Sequence, residues 1–272
     1  MHPCLLRERG AILESQMDRR RTDVVMVVAD SGDRIGHAIC RQLADRGLPV
    51  RAHEPSRLAS LATTLDQDSF VVEGERVGAV LWRVMPGAWL SAGFEPGDQS
   101  FANTETAAVW LGAMRTPAIC AVNAYSATAW YGGAQWPVWR NLLRRHEVRV
   151  SPMRLGQPGA TGQACWLPLS AFAMHPLPDE AVSKALAIAT TECTPSASAL
   201  AVCGQVLGHA ASSHLQAAAS ALWDQGVGLA RVLVDDNECV LAVDPAPACN
   251  DDDLARISHR LSEVFDAHLC AG

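Results

Sequence analysis

Lysine is almost missing from this sequence: Lys184 is the sole example, and the other 21 basic residues are arginines. Any mechanism that needs two lysines is therefore excluded. No C-x-x-C pair occurs, and the nine cysteines are odd in number and widely spaced, so neither a disulfide framework nor a zinc site is indicated. They read as small buried apolar residues. No apolar run approaches the roughly 18 to 20 residues that span a bilayer, and the opening residues Met1 to Cys4 lead into an Arg-containing stretch without an export core. These absences point to a cytoplasmic protein with no membrane partner. A G-x-S-x-G elbow is also lacking, so Asp30, Ser31 and His37 do not make a hydrolase triad.

What is present suits a folded chain with a sizeable core. It has 272 residues, 49% of them hydrophobic and 19% charged, with mean hydropathy +0.07. The net charge of -7, with no segregated basic surface along the sequence, argues against a nucleic-acid partner. The run Arg19-Arg20-Arg21 falls in a polar lead that reads as helical over about 5 to 20.

From residue 23 the pattern alternates. Val24 to Val28 is a buried strand, Ile35, Ile39 and Leu43 fall at helical spacing, and Pro49 to Ala52 returns as a strand. Arg57 to Leu65 reads as a second short helix. This β-α-β-α order predicts an α/β domain with a parallel sheet. Ser69 to Val72 and Gly78 to Arg83 are further strands, Ser100 to Met114 a helix, Ala118 to Val122 a strand, and 136 to 145 a helix.

Beyond 151 the texture becomes Pro- and Gly-rich. Cys165 to Leu169 is strand-like, Glu180 to Ile188 helical, and Ala199 to Val202 with Gln205 to Gly208 forms a hairpin turning at Gly204. Helix Leu215 to Trp223, strands Leu229 to Val234 and Cys239 to Val243, and helix Asp251 to Leu269 complete an α+β second domain. The expected division is a polar segment 1-22, an α/β domain 23-150 and an α+β domain 151-272.

Several local patterns have competing readings. Gly32-Asp33-Arg34-Ile35-Gly36 after a strand invites dinucleotide binding at a helix N-terminus. A short-chain dehydrogenase using NAD(P) would also need a Tyr-x-x-x-Lys pair, yet Tyr125 is followed by Ala129 and Tyr131 by Gln135. That reading stays a minor alternative. His209 and His214 have poor metal-ligand spacing, and Asp251-Asp252-Asp253 fits the charge preference of a helix N-terminus.

Four blocks together resemble the ATP-grasp superfamily, nearest the branch of ribosomal-protein glutamate ligases and graspetide-type peptide maturases. Val80-Leu81-Trp82-Arg83, Phe101 with Glu105, and Ala121-Val122-Asn123 resemble its pre-ATP-grasp domain. The helix near 136 to 145 followed by Val148 to Pro152 resembles the start of its nucleotide-binding half. Cys165-Trp166-Leu167-Pro168-Leu169-Ser170 resembles a strand that carries a Lys-Pro-Leu motif in the family. Ala201 to Val206, followed by Leu229 to Pro247, resembles the terminal core. Its L-E-V-N-P-x-P signature is here Leu241-Ala242-Val243-Asp244-Pro245-Ala246-Pro247.

The resemblance implies an α/β pre-ATP-grasp-like domain and a reduced α+β ATP-grasp-like domain, but it also implies lost chemistry. Leu167 stands at the phosphate-binding lysine, Ala242 at the metal-binding glutamate and Asp244 at the metal-binding asparagine. Ala230-Arg231-Val232 offers no acid where the preceding strand supplies one. Lys184 is the one candidate for a second phosphate-binding lysine. Each lost charge-assisted contact is worth about 1.5 to 3 kcal/mol, so the expected protein is a pseudoenzyme without a cofactor. It would be a binding or scaffold partner in peptide modification or natural-product biosynthesis, pairing with a peptide or small molecule, with itself as a homodimer, or with an active ATP-grasp paralogue. The alternative is a divergent ligase using ATP and Mg, or an enzyme repurposing the same cleft, with Asp244, Arg231, Lys184 and Glu192 as catalytic candidates.

Overall fold

The computed structural model describes residues 23–83, 95–123, 136–152, 154–156, 165–168, 188–191, 196–208, 212–245 and 247–271. The polar lead at 5 to 20 and residues 180 to 187 of the helix expected at 180 to 188 lie outside this set, as do Tyr125, Ala129, Tyr131, Gln135 and His209, while Ile188 lies in a strand and not in a helix. The described residues fall into two compact units, one of 23–83, 95–121 and 258–271, the other of 122–257.

The first unit is built on β1 (Val24–Ala29), whose six residues are all buried. A continuous apolar run of this kind forms where both faces of a strand are covered, as in a parallel sheet. Helix α1 (Arg34–Asp45) follows, burying Ile39 and Leu43, and β2 (Val50–His53) lies parallel to β1. On the other side of β1 runs β5 (Glu75–Arg83), also parallel.

The sheet is then extended by the antiparallel strands β3 (Thr63–Asp66) and β4 (Ser69–Val72), giving the order β2-β1-β5-β4-β3, with β6 (Cys120–Val122) also paired to β5. The expected parallel sheet is thus the centre of a mixed one. Glu73 and Gly74 both have positive φ, the pattern of a two-residue turn whose twist suits a hairpin.

Residues 57–65 are not one helix. A 3-10 turn occupies Pro55–Ser60, Leu61 is extended, and Thr63 and Thr64 pair with Val72 and Val71. Pro55 suits the start of a short helical turn, whereas paired β-branched threonines favour the pleated backbone. Helix α2 (Pro96–Met114) buries Trp110 beside Phe70 and Trp82, with ring centroids 5.1 and 5.7 Å away. The Phe70 ring meets Trp110 edge-to-face, a packing that adds to area burial.

The second unit holds helix α3 (Trp136–Arg145) and a small antiparallel sheet of β7 (Arg154–Gly156), β8 (Cys165–Pro168) and β9 (Ile188–Thr191), ordered β7-β9-β8. Its larger antiparallel sheet has the order β11-β10-β12-β13, from β10 (Ala197–Val202), β11 (Gln205–Leu207), β12 (Leu229–Val234) and β13 (Val240–Asp244). The hairpin expected at Gly204 is present, with Cys203 and Gly204 both at positive φ. Helix α4 (Ser213–Asp224) is capped by the Ser212 hydroxyl, which accepts from Leu215 N–H. Its Ala218, Ala219 and Leu222 pack in one core with Ala199, Ala201, Ala230 and Val232. The last helix, α5 (Asp251–Ala271), begins at a cap in which Asn250 Oδ1 accepts from Asp253 N–H.

Candidate functional site

The antiparallel register decides which side chains share a face. Val232 lies opposite Val243 and Ala199, in the row that packs with α4. Successive strand residues alternate sides, so the neighbouring rows belong to the other face. One consists of Ser198, Leu233 and Ala242, the next of Leu200, Arg231 and Asp244. The structure therefore brings three predicted positions, Arg231, Ala242 and Asp244, onto one face of the sheet.

The Arg231 guanidinium is already engaged. Its Nη2 donates to Asp253 Oδ2 at 2.8 Å and to the Ala248 carbonyl at 2.9 Å, and Nη1 donates to Ser198 Oγ at 3.2 Å. Arg231 and Asp253 side chains are only 22% and 18% exposed, so the pair is screened less than a surface bridge. One member of the acidic run at the α5 N-terminus is thus a specific counter-ion. Asp244 is buried and stands directly across from Arg231.

A magnesium ion asks for near-octahedral oxygen coordination. This face supplies the Asp244 carboxylate, a methyl group at Ala242 and a guanidinium at Arg231, which repels a cation. These residues do not fit the ion. Among the described residues no group of three His, Cys, Asp or Glu side chains is arranged to hold a metal. Leu167 lies on β8 opposite Ala189, and its side chain has no charge to offer a phosphate. Lys184 and Glu192 lie outside the described residues.

Asn123 is the polar residue whose importance sequence reasoning missed, although it was noted at a strand end. It is buried and in the left-handed region at φ 57°, which Asn tolerates better than most residues. Its Oδ1 accepts from Leu229 N–H at 2.8 Å, and its Nδ2 donates to the Pro245 carbonyl at 3.1 Å. One side chain therefore joins the start of β12 to the residue after Asp244. The available signal was the residue type: an amide can bridge a donor and an acceptor at once.

At the α1 N-terminus the geometry is self-contained. Asp33 Oδ1 accepts from Gly36 N–H at 3.0 Å, and both Asp33 oxygens accept from Arg83, at 2.6 and 3.1 Å. Burial by itself raises the Asp33 carboxyl, but the Arg83 hydrogen bonds and charge, with help from Gly36 and Ile35 amides, outweigh it and leave the group below its ordinary value. A carboxylate thus stands where a phosphate would meet helix amides. Gly36 has a packing reason, since a Cβ there would lie 2.8 Å from Ala29 Cβ. His214 is likewise structural, its Nε2 accepting from Arg149 N–H at 2.7 Å.

No known protein family matches the sequence, and no curated protein does either. Solved structures do. The ATP-grasp ligase PsnB complexed with precursor peptide PsnA2 and AMPPNP superposes with TM-score 0.67 at 16% identity, covering 91% of this chain and 98% of that one. The macrocyclase MdnC of Microcystis aeruginosa MRC, bound with precursor peptide MdnA, gives 0.60 at 13% identity, with coverages of 90% and 99%. A RiPP-associated ATP-grasp ligase of Chryseobacterium gregarium, in complex with ADP and a leader and core peptide, gives 0.57 at 8% identity, with coverages of 90% and 97%. No described helix is long and apolar enough to cross a membrane. With the pairing of its sheets and these superpositions over nine-tenths of its length, the chain has the fold of the ATP-grasp ligases.

Proposed function

We propose that this protein is a degenerate ATP-grasp-like pseudoenzyme that binds a peptide and serves as a binding or scaffold partner in peptide modification. The observation that carries the reading is the sheet face on which Ala242 and Arg231 flank Asp244. The phosphates of ATP need several cations in a partly dry site, and charge-assisted contacts of about 1.5 to 3 kcal/mol each are forfeited when the ligands are absent. Arg231 is a poor replacement, because three of its five donors are taken by Asp253, Ser198 and Ala248 and its charge is paired with Asp253. Structural neighbours crystallised with precursor peptides support the choice of a peptide as partner. Pairing with an active paralogue or a second copy belongs to the same reading.

Thermal unfolding with ATP and Mg²⁺ tests it. A ligand that binds only the folded state at about 100 times its Kd adds about 2.7 kcal/mol and raises the midpoint. The expected result is no saturable shift at millimolar nucleotide, and a saturable shift at micromolar nucleotide would refute the reading.

A second reading is an enzyme that uses this face without magnesium. It is favoured by the burial of Asp244 directly across from Arg231, an environment that can tune a carboxyl for proton transfer. Asp244→Asn separates the two: peptide binding survives in a scaffold, whereas an enzyme loses turnover.

A further inference from the structure

Among the described residues, Phe101 and Leu65 are the only large apolar side chains that stand exposed, at 70% and 40%. Leu65 lies on β3, an edge strand of the first sheet. A Cβ built at Gly112 would stand 3.0 Å from Leu65 Cδ2, so Leu65 borders α2 at a point where that helix carries no side chain. Phe101 belongs to the same helix.

Asp98, Phe101, Glu105, Ala108, Gly112 and Arg115 follow one another at steps of three and four, with Arg115 as the C-cap, and residues so spaced share one helical face. All are exposed except Gly112, which is half-buried. Trp110, Ala113 and Met114 form the opposite, buried side. Eleven positions separate Phe101 from Gly112, about 16 Å along the axis, so the ring cannot reach the gap beside Leu65 in its own chain. An antiparallel α2 from a second copy closes that distance. The register that sets Phe101 over Gly112 of the other chain also sets Asp98 against its Arg115, and a two-fold axis makes each contact occur twice. The helix dipole accounts for an acid near the start of α2 and a base at its end. It does not account for an exposed phenylalanine on the same stripe.

We propose that this stripe is a self-association face: two chains pair through antiparallel α2 helices, each Phe101 ring filling the space beside Gly112 and Leu65 of the other copy, and each Asp98 pairing with its Arg115. The inference rests on the second-copy pairing contained in the reading above and gives that copy a place to bind. The two Glu105 carboxylates fall near the axis, each opposite Ala108. Their like charge and the small contact area put the association in the range of about 10 to 100 μM.

Sedimentation velocity of the full chain over about 2 to 200 μM tests it. The average mass is expected to climb from 29.0 kDa toward twice that value. F101E associates at least about tenfold more weakly, an exposed position where the fold does not depend on the ring. D98R and R115D each fail to self-associate, because each sets like charges together at both ends of the pair. An equimolar mixture of these two variants does associate, since one acid and one base then meet at each end. Thermal midpoints check that the variants are folded, and if F101E loses its transition the charge mixture decides alone. A monomer at every concentration, association of folded F101E like that of the parent, or a mixture no more associated than its components overturns the proposal. No nucleotide enters this experiment, so such a failure leaves the ATP test standing, and a saturable nucleotide shift leaves the self-association face standing.

Discussion

Replacing Asn123 by alanine removes a side chain that satisfies two buried backbone groups. Leu229 N–H loses its acceptor and the Pro245 carbonyl loses its donor. A buried polar group left unpaired costs about 1 to 3 kcal/mol, so the two together predict a loss of about 2 to 6 kcal/mol. Alanine at φ 57° adds strain of about 1 kcal/mol. The expected total is about 3 to 7 kcal/mol, a large share of the stability of an ordinary domain. Urea unfolding followed by far-ultraviolet circular dichroism measures it. Asn123→Gly removes the backbone strain while keeping both bonding losses, and Asn123→Asp keeps the acceptor for Leu229 but not the donor for Pro245. A loss under about 1 kcal/mol in Asn123→Ala, or a glycine variant as stable as the parent, would refute the claim that this amide secures the strand ends.

Two further outcomes follow from the first unit. Asp33 has its folded carboxyl below the ordinary value, so between the folded value and about 3.9 the unfolded chain binds the extra proton and stability falls as pH drops through that window. The advantage of the parent over Asp33→Asn in denaturant unfolding is therefore full at pH 7 and shrinks below about pH 4; a gap that stays constant down to pH 3 contradicts the assignment. Gly36→Ala forces a Cβ to within 2.7 Å of Asp33 Oδ2 and 2.8 Å of Ala29 Cβ, and overpacking of this kind costs about 1 to 3 kcal/mol. An unchanged unfolding midpoint would show that the helix and strand are not held so closely.

Much of the architecture was legible because hydrophobic pattern and turn chemistry are local. The run Val24 to Val28, the spacing of Ile35, Ile39 and Leu43, and the glycine at 204 each specify their element through neighbours a few residues away. Residues 57–65 were misread because Leu58, Leu61 and Leu65 carry a helical spacing that the threonine pairing across to β4 overrides. The candidate site was legible in part. Ala242 and Asp244 follow from a signature in one strand, but the engagement of Arg231 with Asp253 links residues 22 apart, and Asn123 reaches Leu229 across 106 positions. Composition and periodicity carry no record of such distant partners.

The engagement of Arg231 also bears on how readily this face could acquire a magnesium cage. Exchanging that guanidinium for an acid would set a new negative charge opposite Asp244 and near Asp253, which would lose its Arg231 ion pair. Glutamate at position 242 in the same background would crowd in yet another. Each single exchange toward a metal-binding acid is thus disfavoured unless others arrive with it, because no one substitution resolves the charge imbalance.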